Sequence, residues 1–303
     1  MPGSRVAGTH RPLSPNPRPG VAGPVEGGRT RSLSLSRTVA VRCGRHLPWV
    51  VALGWTLVLC FGCAFPGGTP RPIHYENQAV RDLMDRVRTA NAGLEAVKGL
   101  GRVRVAVDGS ERRYDRTAWV GAEPGRLRFA FRSPAGLPVF TMSCDPQWVT
   151  ALNHAEGDFY RRRIGDNSLS RFLPVAVTCA DLFGLMVGRL PGVAYDTVRI
   201  DADAAEDGET IAVLLQRRFR GTVARLRIAP DSGDLETVVL LDVHGKPRYE
   251  AHLADRKVVD GYRLPSRIHL SGPEGGLAVE AQRLWTEDGV DESLFRIVPP
   301  QAP

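Results

Sequence analysis

The chain has 303 residues, of which 43% are hydrophobic and 24% charged, so it is long enough to bury one substantial core in one or two domains. Eight of the 40 basic residues and one of the 33 acidic residues precede Cys63, so the formal net charge of +7 lies in residues 1–62 and the rest of the chain carries 32 of each sign. A neutral body has no general attraction to a polyphosphate backbone, which argues against nucleic-acid binding.

Residues 1–38 precede the first apolar segment. They are rich in proline, glycine, serine and arginine and hold almost no large apolar side chains. Such a composition cannot bury a core, so we expect a disordered extension. Because so long a lead is unusual before a signal peptide, we also expect the translated start to lie downstream, at Val39 or Val41.

Residues 39–62 have the layout of a signal peptide. Arg42 and Arg45 precede the apolar run LPWVVALGWTLVLCFG, which ends directly before Cys63. The run is shorter than the roughly 20 residues that a helix needs to span a bilayer. A retained membrane anchor is the alternative interpretation.

Cys63 is the predicted site of lipid attachment. The small residue Gly62 stands before it, as the lipoprotein processing signal requires, whereas Cys60 occupies the place where an aliphatic residue is usual. The next residue is Ala64 rather than aspartate, the usual inner-membrane retention residue of enteric-type lipoproteins. We therefore expect an outer-membrane lipoprotein, lipid-anchored on the periplasmic face, with residues 63–75 as a tether rich in proline and glycine.

A helix is predicted over residues 76–97, where apolar side chains recur at helical spacing between charged ones. From Gly101 the pattern changes to alternation, which is typical of strands. About a dozen strands follow one another, separated by turn residues. They are predicted over 102–108, 112–120, 126–132, 138–144, 147–152, 158–164, 209–219, 221–229, 235–243, 247–255, 262–270 and 276–285.

Residues 167–190 interrupt the strands with a second helix over the segment CADLFGLMVG. Thr178 and Asp181 have the spacing of a capping box at its start, and Gly188 is placed to end it. The pattern predicts a mainly β protein with helices, of the α+β class. In it, a single curved antiparallel sheet forms an unclosed barrel, with a helical lid over an apolar cavity. This domain is expected over 76–290, followed by a C-terminal tail over 291–303.

Apolar side chains of the strands and the lid are expected to line the cavity, with plain core packing as the alternative. They are Leu127, Phe129, Phe131, Phe140, Met142, Trp148, Leu182, Phe183 and Met186. The two cysteines of the folded body, Cys144 and Cys179, either form a disulfide in an oxidising compartment or remain buried thiols.

Catalytic and metal-binding patterns are missing from the sequence. The seven histidines are scattered singly, and no serine-nucleophile motif or phosphate-binding loop occurs. The sequence therefore predicts no metal, no cofactor and no enzyme activity.

Four segments carry a resemblance to the LolA/LolB lipoprotein-localisation family. The segment GRLRFAFRSPAGLPVFTMSC resembles two consecutive strands of that family joined by a Pro-x-Gly loop, and Thr178–Gly192 is similar to its lid helix with a Gly-x-Pro-Gly turn. A late strand beginning YRLPSRIHL and a closing strand ending at Trp285 also correspond. The resemblance covers roughly residues 97–286 and is closest to the outer-membrane receptor branch, LolB.

The resemblance implies a lidded half-barrel whose cavity receives acyl chains of other lipoproteins and passes them into the outer membrane. The implied partners are these acyl chains and a periplasmic LolA-like carrier, and we expect a monomer. In LolB a leucine protrudes from the Pro-x-Gly loop and helps insertion. Ala135 stands at the matching position here, and Leu137 follows the glycine. These two residues form the predicted membrane-insertion loop.

Two other functions remain open at this point. A protein of the same fold could carry a different lipid or a glycolipid. Alternatively, a fully packed half-barrel could serve as a structural lipoprotein in envelope assembly.

Overall fold

The structure of the protein is a computed structural model, which describes residues 72–164, 169–170, 172–204 and 209–299. The N-terminal extension, the signal peptide, Cys63 and most of the tether lie outside the described residues. Within the described ranges, no helix combines the length and the apolar character needed to cross a bilayer.

In the part of the chain that the structure describes, fourteen strands form one sheet that does not close on itself. They lie in the order β1-β8-β9-β10-β11-β12-β13-β14-β2-β3-β4-β5-β6-β7, so β1 and β7 are its two edges. The strands are β1 (His74–Tyr75), β2 (Ala96–Val107), β3 (Ser110–Ala122), β4 (Arg126–Arg132), β5 (Pro138–Cys144), β6 (Trp148–Asn153), β7 (Phe159–Arg163), β8 (Thr197–Ile200), β9 (Ile211–Arg217), β10 (Gly221–Ile228), β11 (Leu235–Leu241), β12 (Pro247–Val259), β13 (Tyr262–Gly272) and β14 (Gly275–Glu287). The predicted fold class, a mainly β protein with an unclosed sheet and helices, is confirmed.

The pairing departs from the prediction at one edge. Strand β1 runs parallel to β8, whereas all other neighbouring strands are antiparallel. Strands β1 and β8 span two and four residues, too few for an alternating pattern to show in the sequence.

Helix α1 (Gln78–Thr89) begins at the N-cap Asn77, whose side chain accepts a hydrogen bond of 2.9 Å from the backbone N–H of Val80. The prediction that this helix continues to residue 97 is wrong. Asn91 adopts a left-handed conformation, with φ of 56°, and its amide donates to the carbonyl of Val187 at 2.8 Å. The chain then turns back into β2, which begins six residues before the predicted strand.

Helix α2 (Cys179–Met186) lies close to its predicted bounds. Thr178 accepts a hydrogen bond of 3.1 Å from the backbone of Asp181, and Gly188 takes the left-handed conformation that ends the helix. The carboxylate of Asp181 accepts a hydrogen bond of 2.9 Å from the backbone N–H of Gly192. It therefore ties the start of the helix to the turn that follows its end.

The core occupies one face of the sheet, where both helices pack. Buried side chains of α1 and α2 join those of the strands in a single cluster. A short 3-10 helix (Glu292–Phe295) covers part of the opposite face, where Phe295 packs against Ala96 and Ala122.

Alternating strand direction brings six turns to one edge of the sheet. They are the turns that follow β2, β4, β6, β9, β11 and β13, at residues 108–109, 133–137, 154–158, 218–220, 242–246 and 273–274. We call this edge the upper rim and the opposite edge the lower rim.

Candidate functional site

A cleft of about 650 Å³ opens at the upper rim. One wall is the chain between residues 174 and 178, which leads into α2, and the other walls are β10 to β12 and the β13–β14 turn. We call residues 172–186, which cover this part of the sheet, the lid. The volume falls in the range of small-molecule sites, about 300–1,000 Å³.

The walls of the cleft combine apolar and charged side chains. The apolar ones are Pro174, Ala176, Val223, Leu241, Val243 and Pro247, and the charged ones are Arg220, Asp242, Arg248 and Glu274. The guanidinium Nε of Arg248 donates to the carbonyl of Ala176 at 2.8 Å and so joins β12 to the lid.

The β11–β12 turn shapes one lip of the cleft. The carboxylate of Asp242 accepts hydrogen bonds from the backbone N–H groups of Lys246 at 2.9 Å and His244 at 2.8 Å. These hydrogen bonds hold the pKa of Asp242 below its usual value. The turn leaves the side chain of Val243 two-thirds exposed at the lip.

The predicted cavity residues of the lid and of β4 and β5 lie together. They are at most 4% exposed and share one cluster: Leu127, Phe129, Phe131, Met142, Leu182, Phe183 and Met186. Phe140 is partly buried against the same cluster, 5.8 Å from Phe131 between ring centroids. The cleft at the upper rim is not lined by any of these side chains. In this conformation they form a packed interior beneath the lid.

Trp148 does not join the other predicted cavity residues. Cys144 pairs with Val149 across β5 and β6, and both side chains are buried in the cluster. Because strand neighbours point to opposite faces, Trp148 points away from the core. It lies beneath the guanidinium groups of Arg161 and Arg163, at 4.4 and 5.6 Å from the ring centroid.

Three connections fix α2, two to the sheet and one to the loop that follows α1. A disulfide joins Cys144 at the end of β5 to Cys179 at the start of the helix, with 6.4 Å between their Cα atoms. The ring of Phe183 lies directly on the backbone of Gly121, where a Cβ atom would approach it to 2.5 Å. After the helix, Arg189 donates to the carbonyl of Asn91 at 3.0 Å.

The Pro-x-Gly loop between β4 and β5 stands on the upper rim. It is closed by two backbone hydrogen bonds of 2.8 Å, from Gly136 to Ser133 and from Ser133 to Leu137. Ala135 is exposed, and the side chain of Leu137 is 67% exposed. The structure therefore places both residues of the predicted insertion loop in solvent, on the same rim as the cleft.

Tyr249 is a buried polar residue that sequence reasoning missed. Its side chain is 0% exposed, and its hydroxyl has no hydrogen-bond partner among the described residues. Burial, with a smaller contribution from the nearby charge of Asp181, raises its pKa far above the usual value. The alternation of β12 places Tyr249 inward but gives no sign that its hydroxyl lacks a partner.

Solved structures of the same fold come from two different bacteria. A domain named for outer membrane lipoprotein sorting, from Vibrio parahaemolyticus, matches with a TM-score of 0.50 at 11% sequence identity, over 72% of this chain and 94% of its own. A DUF1329 family protein from Desulfovibrio piger matches with a TM-score of 0.51 at 14% identity, over the same shares of the two chains. No protein-family model and no curated protein sequence matches the chain. At this level of identity, the likeness shows that the chain has the fold of these two proteins.

Proposed function

We propose that the chain is a lipoprotein of the outer membrane that binds acyl chains beneath its lid and accepts or inserts other lipoproteins there. The observation that carries this proposal is the cleft at the upper rim. It lies between the lid and the sheet. Val175 and Val177 alternate with the lid residues that line it and are buried in the packed interior. The lipid on Cys63 would hold this body at the periplasmic face of the membrane.

Binding requires the lid to move, because its apolar contacts fill the space beneath it. The disulfide at Cys179 holds the start of α2 in place, so the chain before this residue is the part that can swing. The hydrogen bond from Arg248 to Ala176 joins that part to β12. An acyl chain that replaces lid contacts gains about 0.8 kcal/mol for each methylene group that it buries. No covalent step is needed.

The loop with Ala135 and Leu137 supports the insertion half of the proposal. A leucine that is 67% exposed at a loop tip loses nothing in the fold when it enters a bilayer, and burial there is favourable by about 1.5–3 kcal/mol. The loop shares the upper rim with the cleft. A delivered acyl chain and the membrane would therefore meet at the same edge of the protein, where a periplasmic LolA-like carrier would also dock.

Lipid binding is tested with the processed protein purified from its own membrane. Mass spectrometry should find bound lipid, and a fluorescent fatty acid should compete for the site. Ala176→Trp fills the cleft beside the lid and should weaken fatty-acid binding at least several-fold. Val298→Trp, which adds the same side chain at an exposed position that does not line the cleft, is the control. Equal binding by the two variants would count against the cleft as the binding site.

Two alternatives remain candidates. The packing beneath the lid favours a structural envelope lipoprotein, and a protein that neither carries lipid nor binds fatty acid would support that alternative. If lipid is found, complementation of cells depleted of their lipoprotein receptor separates lipoprotein insertion from transport of another lipid or glycolipid. Growth restored by the native chain supports the first.

A further inference from the structure

The β9–β10 hairpin presents the most exposed large apolar side chain of the described residues. Phe219 is 93% exposed at its tip, and the residues on either side are Arg217, Arg218 and Arg220. All three arginines are exposed, and none takes part in the ion pairs found among the described residues. The tip therefore combines one projecting aromatic ring with three guanidinium groups that form none of these ion pairs.

The backbone of the tip is unusual for the residue it carries. Phe219 has a φ of 65°, in the left-handed region. The other non-glycine residues of the described chain with positive φ are all asparagine or aspartate, whose short polar side chains tolerate this conformation. An aromatic residue gains nothing from this conformation locally. The ring is almost fully exposed, and the guanidinium carbon of Arg218 lies 5.0 Å from its centroid. The fold alone gives no reason for a phenylalanine here.

The tip is nevertheless held in one shape. The carboxylate of Asp196 accepts hydrogen bonds from the backbone N–H of Arg218 at 2.9 and 3.2 Å, and the backbone N–H of Arg220 donates to the carbonyl of Arg217 at 2.9 Å. Asp196, which lies just before β8, therefore holds the turn of the hairpin in place. The ring projects from a fixed turn rather than from a loose end.

The tip belongs to the upper rim, next to the lip of the cleft that Arg220 lines. The same rim carries Leu137 and Val243, each 67% exposed, in two other turns. Three separate turns of one edge thus project apolar side chains. Only the Phe219 turn surrounds its apolar residue with positive charge.

We propose that the Phe219 hairpin docks the protein on an anionic lipid surface, with the ring in the interface and the three arginines on lipid phosphates. Aromatic rings favour the boundary between headgroups and acyl chains, and basic residues are drawn to the negative potential of anionic lipids. A single projecting ring with charges around it fits a soft interface, because a protein partner would require a matching pocket with apolar contacts around it. The inference goes beyond the proposed function and does not depend on what the cleft binds.

Two tryptophan variants of the full chain test the contact. Phe219→Trp places the probe at the tip, and Val258→Trp places it at a site that is 68% exposed near the lower rim. Each variant is mixed with phosphatidylcholine vesicles, with or without phosphatidylglycerol, whose acyl chains carry bromine to quench nearby tryptophans. The native tryptophans are the same in both variants and give them the same background. Because residue 219 is compared with residue 258, any membrane attachment through the N-terminal region affects both measurements equally.

We expect quenching at residue 219 to exceed that at residue 258 several-fold, and only when phosphatidylglycerol is present. Adding Arg217→Gln, Arg218→Gln and Arg220→Gln to Phe219→Trp should remove most of the difference, and so should raised salt. Circular dichroism of this variant checks that it is folded. Equal quenching at the two positions would overturn the proposal. So would quenching at residue 219 that depends neither on the anionic lipid nor on the arginines. Equal quenching would instead favour an acidic protein as the binding partner of the tip.

Discussion

Replacing Tyr249 by phenylalanine should stabilise the protein. The side chain is fully buried in β12, and its hydroxyl has no partner among the described residues. A buried polar group without a hydrogen bond costs about 1–3 kcal/mol relative to its hydrated state. Phenylalanine keeps the ring and removes only the hydroxyl, so the loss of packing is small. We expect the free energy of unfolding to rise by about 1 kcal/mol, the lower end of that range, because the space left by the oxygen offsets part of the gain.

Urea unfolding followed by circular dichroism measures this change. In a domain of this size, about 1 kcal/mol corresponds to a rise of roughly 2–4 °C in Tm. Tyr195→Phe is the matched control, because the hydroxyl of Tyr195 accepts a hydrogen bond of 2.7 Å from Arg88. That variant should lose roughly 1 kcal/mol, so the two substitutions should have opposite signs. A Tyr249→Phe protein that is less stable than the native one would refute the reasoning, since its hydroxyl would then have a partner.

Three further variants test the insertion loop, the lid and the pH dependence. Leu137→Glu should impair lipoprotein transfer in a reconstituted assay and leave the unfolding curve unchanged, because the side chain lies in solvent; normal transfer would contradict a role for the loop. Replacing Cys144 and Cys179 together by serine should lower the free energy of unfolding by about 2–4 kcal/mol. It should also speed the uptake of a fluorescent fatty acid, because the start of α2 is then free to move with the segment before it; unchanged uptake would show that the disulfide does not restrain the lid. Burial alone would raise the pKa of Asp234, but hydrogen bonds from Arg263 and Ser232 lower it overall. Its folded pKa is thus below the unfolded value of about 3.9, so the stabilisation is present above that pH and is lost as the pH falls through the folded pKa. Asp234→Asn should therefore be less stable than the native protein at neutral pH, and the difference should shrink below about pH 4; a constant difference would contradict the ion pair as its cause.

The strand pattern was readable from the sequence because most strands have one buried face. In β4, for example, Leu127, Phe129 and Phe131 are buried, whereas the residues between them are more exposed. Such alternation is visible in the sequence of any sheet that has a core on only one of its faces. The same rule did not place Trp148, because Trp148 and Val149 are both apolar in the sequence and only the structure shows that Val149 faces the core.

The end of α1 could not be read in the same way. Asn91, Leu94 and Val97 continue the helical spacing, yet the chain leaves the helix after Thr89. The decisive contacts of Asn91 reach Val187 and Arg263, which are distant in sequence, so no local pattern reports them.

The interior beneath the lid shows a different limit of sequence reasoning. Apolar residues that line an open cavity and apolar residues that fill a core have the same composition and the same spacing. Only the distances between Phe129, Phe131, Phe140 and Phe172 reveal that the rings are in contact in this conformation. Likewise, the strands predicted over 209–219 and 221–229 place a turn beside Phe219, but nothing in the sequence indicates that its ring is exposed there.

An unclosed sheet exposes unpaired backbone groups along its two outer strands, and these can template the addition of a strand from another molecule. At one edge, β1 is only two residues long and offers too short a template. At the other, β7 ends in Arg161, Arg162 and Arg163, all exposed, so a second copy approaching in register would bring like charges together. We therefore expect the protein to resist edge-to-edge polymerisation at the high local concentrations of a crowded membrane surface, although its barrel never closes.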